Sequence, residues 1–229
     1  MKTQDDFTKK IFYAARKGDA TALLSLLGNG ANPDVYDEEE DYLGRHPLSI
    51  AAKHGHLECI KILLQHGADV NDTDAEMDAA ITLAAAGGHT ECVRFLLQNG
   101  ADVNHHSVNG TPLIRAVFSG NIECVKMLLD AGAEANHAVS YGLTALKAAV
   151  SEGDIPCTEL LIKHGAIVTE IDGLGFDEMM CAVLHGHEEC AVLLTAVGGN
   201  PKYLGQREKL LQYEQAWLSC EYDDLPDFE

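Results

Sequence analysis

Apolar residues fall along this chain in short, regularly spaced bursts. Ile60-Lys61-Ile62-Leu63-Leu64, Val93-Arg94-Phe95-Leu96-Leu97 and Val125-Lys126-Met127-Leu128-Leu129 set apolar side chains three and four apart, with Lys or Arg between them. That spacing predicts amphipathic helices with one buried stripe. A glycine-led pentad precedes each burst. Gly55-His56-Leu57-Glu58-Cys59, Gly88-His89-Thr90-Glu91-Cys92 and Gly120-Asn121-Ile122-Glu123-Cys124 are followed by Gly153-Asp154-Ile155-Pro156-Cys157 and Gly186-His187-Glu188-Glu189-Cys190. A stop closes each unit: Gly67-Ala68, Gly100-Ala101, Gly132-Ala133, Gly165-Ala166 and Gly198-Gly199 recur at intervals of 33, 32, 33 and 33 residues. Glycine just past a helix end adopts the left-handed conformation at little cost.

A shorter helix is predicted upstream of each pentad. His46-Pro47-Leu48-Ser49-Ile50-Ala51-Ala52 and Thr111-Pro112-Leu113-Ile114-Arg115-Ala116 open with Pro in the first turn, where its missing N–H costs nothing. Alanine pairs (Ala51-Ala52, Ala84-Ala85, Ala148-Ala149) let these helices approach their neighbours closely. One unit is therefore a loop, a short helix, a turn at Gly, a longer helix and a Gly-Ala stop. A period near 33 predicts a solenoid, in which each unit buries its apolar face on the next and there is no single closed core.

His46-Pro47-Leu48 through Gly55-His56-Leu57-Glu58 to Gly67-Ala68-Asp69-Val70-Asn71 closely resembles an ankyrin repeat, and Gly100-Ala101-Asp102-Val103-Asn104 repeats its ending. The resemblance covers roughly residues 7 to 204 and implies an all-α ankyrin-repeat solenoid of helix pairs with projecting hairpin-like loops. Its implied division is an array over 1–204 (an N-terminal capping helix pair at 7–33 and five repeats at 34–71, 72–104, 105–136, 137–169 and 170–204), then a C-terminal capping helix and acidic tail at 205–229. In the last helix Leu210, Leu211, Tyr213, Trp217 and Leu218 are the apolar positions. Three helix starts depart from the family's Thr-Pro-Leu-His motif: Ala79-Ala80-Ile81-Thr82, Thr144-Ala145-Leu146-Lys147 and Asp177-Glu178-Met179-Met180. These are expected to lack the usual hydrogen-bonded cap. The resemblance also makes Asn71 and Asn104 candidates for asparagine hydroxylation, against the plainer expectation that a turn asparagine bonds its own backbone.

Charge narrows the partner. Sixteen basic against thirty-six acidic residues give a net charge of −20. Phosphate-binding surfaces need the opposite sign, so nucleic acid and anionic membranes are disfavoured. Acid concentrates at Asp37-Glu38-Glu39-Glu40-Asp41, which lengthens the first loop, and at Glu221 to Glu229. Such runs are commonly only solvated; the sharper expectation is that they steer a basic protein partner toward the groove. No run of about 18 apolar residues suggests a membrane span, and the N-terminus has no apolar leader. The expectation is a cytoplasmic, monomeric protein, with delivery into a host cell as an effector kept open because the acidic tail looks somewhat like bacterial secretion signals.

Candidate chemistry is sparse. Cys59, Cys92, Cys124, Cys157 and Cys190 hold one position in successive units. Stacked helices are about 8–10 Å apart, too far for a disulfide, so these read as small buried apolar residues. His185-Gly186-His187-Glu188-Glu189 lacks the four-residue histidine spacing of a metalloprotease helix. His105-His106 reads as a solvated loop tip. No catalytic residue, metal site or cofactor is assigned.

What the resemblance implies about binding is a contact surface of loop tips and the two residues before each turn glycine. These map to Tyr42, Leu43, Arg45, Lys53 and His54, then Glu76 and Asp78, then Val108, Asn109 and Phe118. The fourth unit adds Tyr141, Leu143 and Glu152, and the fifth Leu174, Phe176, Leu184 and His185. Tyr42, Phe118, Tyr141 and Phe176 stand out, since aromatics anchor binding hot spots. The reading is a protein-binding module or adaptor rather than an enzyme, with an inhibitor, immunity-type protein or effector that blocks a target enzyme as the alternative.

Overall fold

A computed structural model of the chain describes residues 4–36, 45–168 and 177–219. It contains two compact units, Met1–Glu134 and Ala135–Glu229. In the first, α1 (Gln4–Lys17), α3 (Pro47–Lys53), α5 (Ala80–Ala86) and α7 (Pro112–Phe118) pack one on the next. Their partners α2 (Ala20–Gly28), α4 (Leu57–Gln65), α6 (Thr90–Gln98) and α8 (Ile122–Asp130) form a second row. The alanines expected at close approaches are where the first row meets: Ala51, Ala52, Ala84, Ala85 and Ala116 are fully buried. Leu63, Leu96 and Leu128 recur in the second row and are also fully buried. Each such leucine stabilises the unit by about 1.5–3 kcal/mol through removal from water.

The second unit repeats the plan. In it α9 (Ala145–Glu152) packs on α11 (Glu178–His185), and α10 (Ile155–Lys163) on α12 (Glu188–Ala196). The last helix, α13 (Arg207–Ser219), lies against α11 with Leu210 fully buried, and the 3-10 turn Pro201–Tyr203 buries Tyr203 beside it. On α1, Lys9, Lys10 and Lys17 are exposed.

Helix ends follow the predicted punctuation. At Gly100 (φ 87°) the chain turns left-handed, Gly100 N–H donates to Leu97 O at 3.1 Å and Ala101 N–H to Leu96 O at 3.0 Å. That pair of bonds satisfies carbonyls a helix end would otherwise leave open. The expectation about caps needs correcting. Thr144 accepts from Lys147 N–H and Asp177 from Met180 N–H, so the fourth and fifth units are capped as Thr111 caps α7 through Ile114 N–H. Only a side-chain oxygen at the position before the helix is needed, not the proline that follows it. Ala79 has no such oxygen and α5 begins uncapped, and His46 likewise makes no capping bond.

Within each unit, two side-chain ladders tie neighbouring repeats together. Ring Nε2 of His56, His89 and His187 donates to the carbonyls of Arg16, Lys53 and Ser151 at 3.0, 3.1 and 3.0 Å. Asn121 substitutes for histidine in the third unit, its amide donating to Gly88 O at 2.8 Å. On the loop side, Asn71 donates to Gly100 O and accepts from Asp102 N–H, at 3.2 and 3.0 Å. Asn104 does the same with Gly132 O and Glu134 N–H, and Asn136 with Gly165 O and Ile167 N–H. These asparagines therefore bond the following repeat's backbone, not their own as expected. Local turn chemistry supplied that expectation, whereas the adjacent stop offers a donor and an acceptor at the right distance.

The cysteine column lies inside. Cys59, Cys92, Cys124, Cys157 and Cys190 are buried and form no disulfide, and Cys181 is buried too. Burial pushes the thiols of Cys59, Cys92 and Cys124 up to about 11 and that of Cys157 to about 12.

Candidate interaction surface

The expected contact positions separate into accessible and inaccessible sets. Among the described residues of the first unit Val108 is the most exposed large apolar one, at 69% of its maximum, and Phe118 at the end of α7 stands at 45%. Lys53 and His54, at the end of α3, are exposed beside the turn at Gly55. Burial of part of each side chain lowers both pKa values, and neighbouring Arg45 (for Lys53) and His56 (for His54) lower them further. In the second unit Glu152 and His185 are exposed and Leu143 is half-buried, with His185 Nδ1 held to Cys181 O at 2.8 Å.

Three expected contact residues are buried instead. Arg45 is 9% exposed because its Nε donates to Asp74 Oδ2 at 2.9 Å, across the base of the next loop. Asp78 is 3% exposed where the loop enters α5, and Leu184 is 6% exposed on α11. Lys53 and Phe118 stand at the same distance from their turn glycines and are exposed; Leu184 differs in that α13 packs on α11, where Arg207 Nε donates to Leu184 O at 2.9 Å. Tyr42, Leu43, Leu174 and Phe176 lie outside the described residues, as do the acidic stretches 37–41 and 221–229, Cys220 and the side chains of Tyr141 and Trp217.

The loop 72–79 is the most elaborate part of the described surface. Asp74 Oδ1 accepts from the N–H groups of Glu76 and Asp78 at 3.0 and 2.8 Å, curling the backbone around it. Asn109, from the next loop, donates to Asp78 Oδ2 at 2.9 Å and Glu76 Oε2 at 3.2 Å. Val108 N–H donates to Glu76 O at 3.2 Å, and His105 Nε2 to Met77 O at 2.7 Å. His105 is thus half-buried and bonded, not a free loop tip. Met77 itself escaped sequence reasoning. It is the one described non-glycine residue at positive φ, 60°, and stands 53% exposed. Nothing in an Ala-Glu-Met-Asp run signals a left-handed residue; the bonds around Asp74 impose it.

In the second unit Cys190 and His187 share the cleft lined by Gly153, Ile155 and 186–189. Burial raises the Cys190 thiol pKa, the reverse of what a nucleophilic thiolate needs, and the Nε2 of His187 is engaged by Ser151 O. Among the described residues no helix is long and apolar enough to cross a membrane.

Comparison with known proteins agrees with the geometry. A family model for ankyrin repeats matches in three copies, over residues 11–107, 67–139 and 113–203. The chain is 39% identical over 71 residues to ankyrin repeat domain-containing protein 29 of Danio rerio, covering 31% of this chain and 23% of that one. It is 32% identical over 81 residues to an ankyrin repeat protein of Fowlpox virus, covering 35% and 26%. Against human Inversin it is 40% identical over 75 residues, 32% of this chain and 7% of the other. The matched stretches thus span about a quarter or less of these relatives' own length.

Proposed function

The chain belongs to the ankyrin repeat family, and from that premise we propose that it is a protein-binding module that grips a basic partner at its loop tips and at the ends of its short helices. One observation carries the reading. Val108 and Met77 stand exposed on adjoining loops that are joined through the Val108 N–H bond to Glu76 O. Phe118 is exposed at the end of α7, in the same unit. Apolar side chains held out on a bonded framework are the kind of anchor that a partner desolvates. Around them lie Glu76 and Asn109, and the whole chain carries −20. Acid around an apolar anchor selects for a partner with Lys or Arg beside an apolar residue, and accelerates its approach at low salt.

Affinity capture from native lysate with wild type and with a Val108→Ala/Phe118→Ala double variant tests this. Both positions are exposed, so the variant's melting temperature should stay within about 2 °C of wild type. Proteins retained by wild type and lost by the variant support the reading. Equal retention, or association rates flat from 50 to 300 mM salt, would refute the assigned surface or its charge preference respectively.

A further inference from the structure

We propose that Asp74, Glu76 and Asp78 form a binding site for a hard divalent cation, calcium before magnesium, completed by the side-chain oxygen of Asn109. The inference stands apart from the protein-binding reading and does not depend on it.

The three carboxylates occupy alternate positions of one turn, and one oxygen from each lies within 4.8 Å of the others. Calcium holds oxygens at about 2.3–2.6 Å, so two ligands on one ion sit up to about 5 Å apart. Convergence of acid alone is common on surfaces. What points to a ligand here is Asp78. Its side chain is buried, yet its Oδ1 is wholly out of contact with water and accepts no hydrogen bond from any described residue. A buried polar oxygen with no hydrogen-bond donor is costly, and a bound cation removes that cost.

Acceptor accounting shows what remains to be filled. Asp74 Oδ1 already takes two backbone N–H groups and its Oδ2 takes Arg45. Asp78 Oδ2 and Glu76 Oε2 share the amide of Asn109. Among the described residues Arg45 is the cation bonded to the cluster, with a second contact to Glu76 Oε2 at 3.9 Å, and Lys53 adds positive charge close enough to act on all three carboxylates. Asn109 Nδ2 lies between the two outer carboxylates, where an ion would be coordinated. Turning the amide over presents its oxygen instead, and the two orientations exchange a donor for a ligand. The set contains only oxygen, which selects hard cations over zinc or copper. Arg45 remains as the outer partner of Asp74 and limits the affinity, to the order of 10⁻⁴–10⁻³ M.

The test uses the full chain, with calcium and magnesium chloride as probes and potassium chloride at matched ionic strength as control. Isothermal titration calorimetry and thermal unfolding should both show a saturable response to calcium, weaker for magnesium and missing for potassium. Asp78→Asn and Glu76→Gln should each weaken calcium binding by about tenfold or more. Asn109→Asp should bind calcium more tightly, yet melt below wild type in EDTA, because it adds a fourth negative charge and removes the bridging amide. If Asp78→Asn does not fold, half-buried Glu76→Gln and Asn109→Asp decide the matter. Calcium acting no more strongly than potassium overturns the proposal. So does a calcium response that survives intact in Glu76→Gln and Asn109→Asp, which would assign it to the acid at 37–41 or 221–229.

Discussion

Turn glycines at equivalent positions of successive units should differ in what they tolerate, and the difference follows from one ring. Gly55 has φ 71° and Gly120 has φ 67°, so alanine at either pays the same left-handed penalty, about 1–2 kcal/mol. A Cβ at Gly120 meets nothing within 4 Å, whereas one at Gly55 meets His89 Nδ1 at 2.6 Å. That is closer than atoms can approach, so the imidazole must swing away and its 3.1 Å bond to Lys53 O is lost. The lost bond adds about 0.5–1.5 kcal/mol. Gly55→Ala should therefore cost about 2–3 kcal/mol and Gly120→Ala about 1–2. For a chain of this length each kcal/mol lowers the melting temperature by about 2–4 °C.

Thermal and urea unfolding of both variants measures the difference, and His89→Ala isolates its cause. Once Gly55→Ala has displaced the ring, removing it should cost little more. The cycle should thus show a coupling of about 1 kcal/mol, with the double variant more stable than the sum of the singles predicts. Equal costs for Gly55→Ala and Gly120→Ala, or additivity of Gly55→Ala with His89→Ala to within about 0.5 kcal/mol, would refute the account.

Two further outcomes follow from buried titratable groups. Burial raises the Asp177 carboxyl to about 6 from its usual 3.8, so the folded state binds its proton more tightly than the unfolded state does. Its contribution is most favourable below pH 4 and declines as pH rises to about 6. Asp177→Asn keeps the cap to Met180 N–H without the charge, and should melt above wild type at pH 7.5 by a margin that shrinks at pH 5.5; a lower melting point at pH 7.5 contradicts this. The column Cys59, Cys92, Cys124 and Cys157, buried and with thiol pKa values near 11–12, should resist a thiol reagent at pH 8 in the native state and react fully after denaturation. Fast native labelling at any of the four would show that the column opens locally.

Most of the fold was legible in the sequence because its signals are local and repeated. A left-handed glycine at Gly100, an apolar stripe at Val93, Leu96 and Leu97, and a small-residue approach at Ala84-Ala85 each act within one helix turn, and each recurs with the period. What failed was what depends on a neighbour. Arg45 looked like a loop-tip contact until Asp74, from the next unit, drew it inward. Asn71 looked self-bonded, and its partners are Gly100 and Asp102. The caps at Thr144 and Asp177 were missed for a different reason: the family motif was weighed in place of the one oxygen atom that capping requires.

The same ladders explain why binding residues are hard to read from a repeat. His56, His89, His187, Asn71, Asn104 and Asn136 all reach backbone atoms of the adjoining repeat. A backbone carbonyl or N–H is present whatever side chain stands beside it. These ladders therefore place no demand on loop side chains such as Val108, although Arg45, Asp74, Asp78 and Asn109 do bond from loop to loop. Val108 sits 69% exposed although its own N–H is bonded to Glu76 O, so the framework uses its main chain and leaves its side chain free. Positions released in this way vary without disturbing the stack, and a family pattern that encodes stacking carries no record of them. Where such a side chain is large and apolar, the stacking bonds do not account for its exposure, and that is why Val108 serves as the anchor of the proposed surface.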